Sequence, residues 1–378
     1  MPARPLSDEL AIEALELAQE HGTLSAAARA IGMSRETLQS RYNVAVKRGL
    51  NLSPGVRETI LRANINPTEA RGGWKHIYDD EGKKIEAVRW AAGEIDAETM
   101  LDKIRDAFEG LTPAPLVPPP AHADDDLLTL YPIADAHIGM MAWGQEAGED
   151  YDTKKATARL TSWIGRCVAA SPPSGTAVIL DVGDLLHADD HTNQTPGSKH
   201  VLDVDTRYFR TVEMTIAAMA TAVSHALERH ARVVVRILPG NHDKTAYIAI
   251  LFALAERYRN EPRVKVQKDP SEFYTHQFGK VMLAAHHGDK AKAARMVLYM
   301  ADAYPDMWGA TRHRFLWTGH LHHHKSEDIG GVQWEQLRAL TAKDAYAASH
   351  AYSARAQLQA VTYHREHGEV GRVKVGAF

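Results

Sequence analysis

The stretch Arg232-Val-Val-Val-Arg-Ile-Leu-Pro-Gly-Asn-His-Asp243 decides how this chain is read. Its apolar part, Val233 to Leu238, is rich in β-branched side chains that pack well on a pleated surface, so it reads as a buried strand. Proline ends the run, and Gly240-Asn241-His242-Asp243 follows with three polar side chains in a row. Four more stretches repeat the arrangement, each polar group lying at the end of an apolar run. They are Asp135-Ala-His137, Gly183-Asp184, His286-His287-Gly288-Asp289 and Gly319-His320-Leu-His322. With 21 histidines in the chain, one such match means little, but five in series behind predicted strands carry information.

These residue types suit a pair of divalent cations about 3.5–4 Å apart that clamp a phosphate and activate a water between them. A pair of this kind needs a bridging carboxylate together with imidazole and oxygen donors of intermediate softness. Asp135 and His137 stand two apart at a strand end, which predicts side chains leaving one face toward one ion. His320 and His322 repeat that spacing and offer one imidazole to each ion. Asp184 is the natural bridge, Asn241 brings an amide oxygen, and His287 completes the second ion. A single Asp or His at a strand end is more often a cap or a surface group; the ordered set is what argues for metal.

The set resembles the calcineurin-like metallophosphoesterase superfamily, over roughly residues 127 to 345. The resemblance implies an α/β fold, a metallophosphoesterase β-sandwich flanked by helices. It implies Asp135, His137, Asp184 and His322 around one metal, and Asp184, Asn241, His287 and His320 around the other. It also implies His242 as the acid that protonates the leaving oxygen, with Asp243 orienting its ring, and a nucleophilic hydroxide bridging the metals. His287 is preferred to His286 because the family's ligand directly precedes the glycine, and Gly319 fixes the register of the last motif against His323 and His324. Manganese is the first expectation for both ions, ahead of iron, zinc or magnesium. One departure is Pro132, inside the strand that should deliver Asp135, where proline is disfavoured.

The residues from Gly183 to Ser198 are similar to the matching loop of the double-strand-break-repair nuclease branch of that superfamily. There a histidine three past the bridging aspartate positions the scissile phosphate, which would be His187. A polar surface excursion is the competing reading of this loop. The 56 residues after His322 cannot supply that branch's DNA-capping domain.

A different device for DNA capture precedes the sandwich. Ser7 predicts a helix through about Glu20, Ser25 to Ile31 a second, and Ser34 a third in which Leu38, Tyr42 and Ala45 share a buried stripe. This resembles an all-α helix-turn-helix-like domain, as in phage-encoded proteins that fuse such a module to a metallophosphoesterase. Between His21 and Leu50 five Lys or Arg face one acid, so positive charge is local while the whole chain carries −4. Arg35, Thr37, Gln39 and Arg41 are the candidate DNA contacts. A small helical docking or oligomerisation module is the alternative, and homo-oligomers remain open.

Expected domains are therefore 1–66 (helix-turn-helix-like), 67–126 (hairpin, helix and linker) and 127–378 (metallophosphoesterase). In the middle segment Trp74 to Trp90 alternates around Asp80-Glu81-Gly82 as a hairpin. A helix from Asp96 carries Met100, Leu101, Ile104 and Phe108, and Thr112 to Pro120 reads as a stiff proline-rich linker. No run of 18 apolar residues occurs, so no membrane partner is expected. One cysteine, Cys167, and an N-terminus without an apolar core predict a cytoplasmic protein without disulfides. The favoured function is a two-metal phosphodiesterase cutting DNA. The alternative is a phosphatase or phosphodiesterase on a small nucleotide or phosphoprotein. A DNA-bound regulator with an inert phosphoesterase scaffold is disfavoured by the intact ligand set.

Overall fold

A computed structural model describes residues 6–50, 73–78, 84–90, 114, 116–343, 348–350 and 355–376. The chain divides into two compact units, Met1–Glu109 and Gly110–Phe378. The helix expected from Asp96 lies outside the described residues.

In the first unit α1 (Asp8–His21), α2 (Leu24–Ile31) and α3 (Arg35–Lys47) pack around Ala14, Ala27, Ala28 and Leu38. Small alanines let the helices approach closely. Ser7 and Ser34 cap α1 and α3 as expected, and α2 begins at Leu24, one residue before the expected Ser25, capped by Thr23, whose hydroxyl accepts the Ala26 amide at 3.0 Å. Ser25 is buried. β1 (Gly73–Tyr78) and β2 (Lys84–Trp90) form the expected antiparallel hairpin, with Gly73 opposite Trp90.

The second unit opens with β3 (Asp124–Ile133), a short α4 (Gly144–Ala147), α5 (Thr153–Ala170), β4 (Ser174–Asp181), α6 (Tyr208–Arg229), β5 (Arg232–Ile237), α7 (Ala246–Arg257) and β6 (Val264–Val266). It continues through β7 (Tyr274–Phe278), β8 (Val281–His286), α8 (Ala293–Ala303), α9 (Pro305–Ala310), β9 (His313–Thr318), β10 (Lys325–Ile329), β11 (Val332–Gln336), β12 (Gln357–His364) and β13 (Gly368–Gly376). The strands form two sheets, ordered β13-β12-β3-β4-β5-β6 and β10-β11-β9-β8-β7.

Period-two alternation makes the layers. Leu128, Leu130, Val178 and Leu180 of the first sheet meet Leu283, Ala285, Phe315 and Trp317 of the second. The alternate residues Tyr131, Ile133, Ala177, Ile179, Val233 and Val235 turn outward onto α5, α6 and α7. Met282, Ala284 and Leu316 turn to α8 on the other side. The result is a two-sheet sandwich between helical layers. Cys167 is buried on α5, where burial pushes its thiol up to about 12, so it is an inert core residue.

Pro132 sits inside β3, paired with Leu180, yet breaks no ladder bond. Ile133 accepts from the Val182 amide on the β4 side, so the neighbouring Pro132 nitrogen faces the β12 side. Pairing with β12 ends at Leu130, so no acceptor waits there for the missing N–H. The proline-rich stretch is also more than a spacer. The Ala114 amide donates to Arg257 O at 2.8 Å and Arg263 Nη2 to Val117 O at 2.6 Å, which lays its end against the second unit. Among the described residues no helix is long and apolar enough to cross a membrane.

Candidate metal centre

Each motif follows a strand of the sandwich, but the expected strand-end geometry is not what aims the ligands. β3 ends at Ile133 and β9 at Thr318, before Asp135 and His320. Asp135, His137, Asp184, His320 and His322 all have left-handed backbones, with φ of 50°, 43°, 56°, 72° and 59°. They converge because the chain coils past the strand ends, not because i and i+2 share a pleat. Asp and His tolerate this region better than most residues, so the same residue types serve backbone and coordination.

Backbone hydrogen bonds lock the loops together. The Asp135 and His137 amides donate to Gly183 O and Asp184 O at 3.2 and 3.0 Å, zipping the first motif to the second. The His242 amide donates to Asp184 Oδ1 at 2.8 Å, and the His320 amide to both Asp135 oxygens at 3.0 Å. The stretch Leu337-Arg-Ala-Leu-Thr341 is a clamp absent from the sequence reading: its Ala339, Leu340 and Thr341 amides donate to His322, Ala134 and Asp135 carbonyls. No side-chain signal announces it, because only its backbone acts. Two glycines make room for the carboxylates. A Cβ on Gly240 would stand 2.0 Å from Asp184 Oδ1, and one on Gly319 2.7 Å from Asp135 Oδ2.

Two donor groups result, Asp135–His137–His322 and Asp184–His287–His320, each with ligand atoms within 4.8 Å of one another. Asp184 lies between them, its Oδ2 3.2 Å from His287 Nε2 and 3.8 Å from His137 Nε2. Asn241 Oδ1 is 3.0 Å from His287 Nε2. All seven expected ligands are therefore brought to one place. His286 is not: it packs near Phe273 at 6.2 Å between ring centroids, on the opposite face from His287. His323 and His324 turn to the Leu321 carbonyl and to Glu335.

Charge and burial prepare the donors. His287 donates Nδ1–H to Val182 O at 3.0 Å, which leaves Nε2 facing the centre. Burial opposes its charge, but Asp184 and Asp135 outweigh it and hold the imidazole up to about 10. Burial likewise opposes ionisation of Asp184, yet His287 and the neighbouring imidazoles keep it below the usual carboxylate range. Burial pushes His137 and His320 down, so both are neutral, as a metal ligand must be. Two carboxylates, four imidazoles and an amide oxygen around two adjoining points fit a pair of divalent first-row cations.

His187 and His242 stand beside His137, the three ligand atoms within 4.8 Å of each other. Burial, then the charge of His242, pushes His187 down to about 3. The orientation expected for His242 needs correcting. Asp243 does not hold its ring: Oδ1 accepts the Gly240 amide at 2.8 Å and Oδ2 the Leu186 amide at 3.1 Å. The His242 Nδ1 donates instead to His187 O at 2.8 Å. Asp243 faces inward and is fully buried, so it braces the loop, and burial followed by Asp184 raises it to about 7. Asp181 was not foreseen. Its buried Oδ2 accepts the Gly183 amide at 3.3 Å while Oδ1 has no partner, and burial pushes it well above the usual range.

On α3 the outward face differs from the one expected. Arg35 and Thr37 are exposed, though the Thr37 hydroxyl bonds Ser34 at 2.8 Å as part of the cap. Arg41 turns toward α1, 3.9 Å from Glu13, so it does not share that face. Gln39 does, donating to Asn43 Oδ1 at 3.0 Å, and Glu36, Ser40, Asn43 and Lys47 complete the row around a shallow groove. Spacing i, i+4, i+7, i+11 from Glu36 would have found it.

No protein-family model matches the chain, and no curated protein matches it. Solved structures similar to it include a conserved uncharacterised protein, a predicted phosphoesterase, of Streptococcus pneumoniae (11% identical, 66% of this chain and 98% of that one, TM-score 0.28). Others are an archaeal phosphodiesterase (10%, 66% and 99%, TM-score 0.34) and a dimetal phosphatase from Danio rerio (9%, 66% and 98%, TM-score 0.34). Likeness of that degree decides nothing about chemistry, which rests on the donor geometry.

Proposed function

We propose that the second unit is a metal-dependent phosphodiesterase that cuts DNA, and that the helices of the first unit are a helix-turn-helix-like DNA anchor. The observation that carries the reading is the pair of donor groups meeting at Asp184. Asp135, His137, Asp184 and His322 would hold one divalent cation, and Asp184, Asn241, His287 and His320 the other. When bound, the pair supplies Lewis acidity toward a phosphate and an acidified water.

The chain's own residues supply the rest. His242, with Nδ1 fixed on the His187 carbonyl, has Nε2 left to deliver a proton to the leaving oxygen. His187, neutral at ordinary pH, offers the phosphate a hydrogen bond without competing for that proton. DNA is favoured by the polar outward face of α3, where Gln39, Ser40, Asn43 and Lys47 line a shallow groove and Arg35 is exposed.

The test is incubation of the purified chain with Mn²⁺ and end-labelled single- and double-stranded DNA, with a chelator control. Chelator-sensitive cleavage is expected. Turnover of small phosphoesters with no cleavage of either DNA would overturn the DNA reading and leave a phosphatase or small-nucleotide phosphodiesterase in its place.

A further inference from the structure

Beside the metal centre lies a second feature that none of the expected roles uses. The loop from His187 to Arg207 is an ordered arm and not a loose excursion: Gln194 bridges Val201, and the Leu202 amide donates to Asn193 O at 2.9 Å. The arm comes near the residue that follows the Gly240–Asp243 loop, where a Cβ on Gly197 would stand 4.0 Å from Lys244 Nζ. Asp189 anchors its base, Oδ1 accepting the Thr245 and Ala246 amides at 2.6 and 2.7 Å. Its far end is tied to the first motif, the Asp205 amide donating to Gly139 O at 3.3 Å, two residues past His137.

Between these ties the arm and the start of α6 border an open cleft of about 640 Å³, lined by His191, Asn193, Arg207, Tyr208 and Phe209 among others. Phe209 is 80% exposed, the most exposed of the large apolar side chains described. Among the described residues Arg207 has no partner for its guanidinium. An aromatic face left open to water beside an Arg and amide and imidazole donors is the set that stacks and edges a nucleobase.

We infer that this cleft is a nucleoside subsite: Phe209 stacks the base attached to the scissile phosphate, and Asn193, His191 and Arg207 meet its polar edge and sugar-phosphate. The inference rests on the phosphodiesterase reading and narrows it, since a phosphoprotein has no base to place there. The base comes from a DNA strand or from a free nucleotide ester, and the chemistry of the cleft is the same for both.

The test compares two esters with the same leaving group, thymidine 5′-(p-nitrophenyl phosphate) and methyl p-nitrophenyl phosphate, with Mn²⁺. Wild type should prefer the nucleoside ester in kcat/KM. Phe209→Ala should lower that preference about 5- to 150-fold, Phe209→Leu nearly as much, and Phe209→Trp should keep it. Independently of turnover, the methyl resonance of thymidine 5′-monophosphate should shift upfield on binding to wild type and not to the Ala or Leu variant. A parallel loss in cleavage of end-labelled DNA assigns the base to a strand; a loss confined to the small ester assigns it to a free nucleotide. An unchanged ester ratio in both variants, with no ring-current shift in wild type, would overturn the subsite while leaving the phosphoesterase standing. Hydrolysis of neither ester would instead sink the catalytic reading, and the resonance shift would still decide the subsite.

Discussion

Gly240→Ala isolates the geometry of the centre without touching a ligand. The added methyl would stand 2.0 Å from Asp184 Oδ1 and 2.3 Å from the Asp184 backbone nitrogen. The carboxylate could rotate away, but the backbone nitrogen cannot, so the two loops must part by roughly 1 Å to restore a tolerable contact. Overpacking of this kind costs about 1–3 kcal/mol, which in a unit of this size lowers Tm by roughly 2–10 °C. The displacement reaches chemistry directly, because Asp184 Oδ2 also faces His287 and His137 at 3.2 and 3.8 Å. A shift of that size in a positioned group costs on the order of 10²-fold in rate. The assay pairs bound metal by elemental analysis with kcat on methyl p-nitrophenyl phosphate and Tm by calorimetry. Gly371→Ala is the control, since nothing lies within 4 Å of its added methyl. Two metals per chain, wild-type kcat and an unmoved Tm in Gly240→Ala would refute the packed hub.

His242→Ala should keep its metal yet lose roughly 10²–10⁴ in rate on esters with poor leaving groups, and less on activated aryl esters; an equal loss on both would make the residue structural. In the metal-free protein His287 is held up to about 10, so at pH 7–9 a cation must expel its proton. Affinity should therefore rise about tenfold per pH unit with release of one proton, read by calorimetry in two buffers, and absence of release contradicts the pairing with Asp184. Far from the centre, His230 is buried with Nδ1 accepting the Ser174 amide at 3.1 Å and Nε2 2.7 Å from the Tyr131 hydroxyl, and burial holds it down near 4. The unfolded chain takes up that proton first, near 6.5, so stability is full above that pH and falls by about 3 kcal/mol toward pH 4. His230→Gln should flatten this part of the urea-denaturation profile; an unchanged profile refutes the assignment. On α3, Lys47→Ala should weaken DNA binding and make the dependence of log affinity on log salt shallower by about one, whereas Arg41→Ala, facing Glu13, should change neither.

How much was legible in the sequence depended on whether a signal was local. The strands before the motifs could be read because short apolar runs bury on both faces, and β4, β5, β8 and β9 lie where those runs lie. The ligand types could be read because metal chemistry admits few side chains. The aim of those ligands could not: a pleat rule applied to Asp135 and His137 misses that both lie past the strand in left-handed backbone. Partners distant in sequence stayed hidden for the same reason. The hold of His187 O on His242, 55 residues apart, follows from how two loops meet, whereas Asp243 was the partner that the family resemblance implied. The sequence makes Arg41 a candidate DNA contact, and only the packing of α1 shows that Glu13 draws it inward.

The left-handed ligands also explain why so much backbone is invested around them. Of the seven described non-glycine residues with positive φ, five are candidate ligands, and the other two, Asn193 and Lys199, belong to the arm beside the centre. Each such residue costs of order 1 kcal/mol and persists only where neighbours over-determine it. The neighbours here are specific: Gly183 and Asp184 carbonyls hold the amides of Asp135 and His137, the clamp at 339–341 holds the carbonyls of His322 and Asp135, and Asp135 itself caps the His320 amide. The bonds of the Asp135, His137 and His320 amides each join two different motifs, and the clamp ties the first motif to the last, so none of these loops can relax into ordinary backbone without releasing another. A metal-free centre held this way is already shaped for its cations, and little of the binding energy is consumed in ordering it. The same interlock makes the motifs interdependent, which is why the five must occur together and why any one alone would carry no meaning.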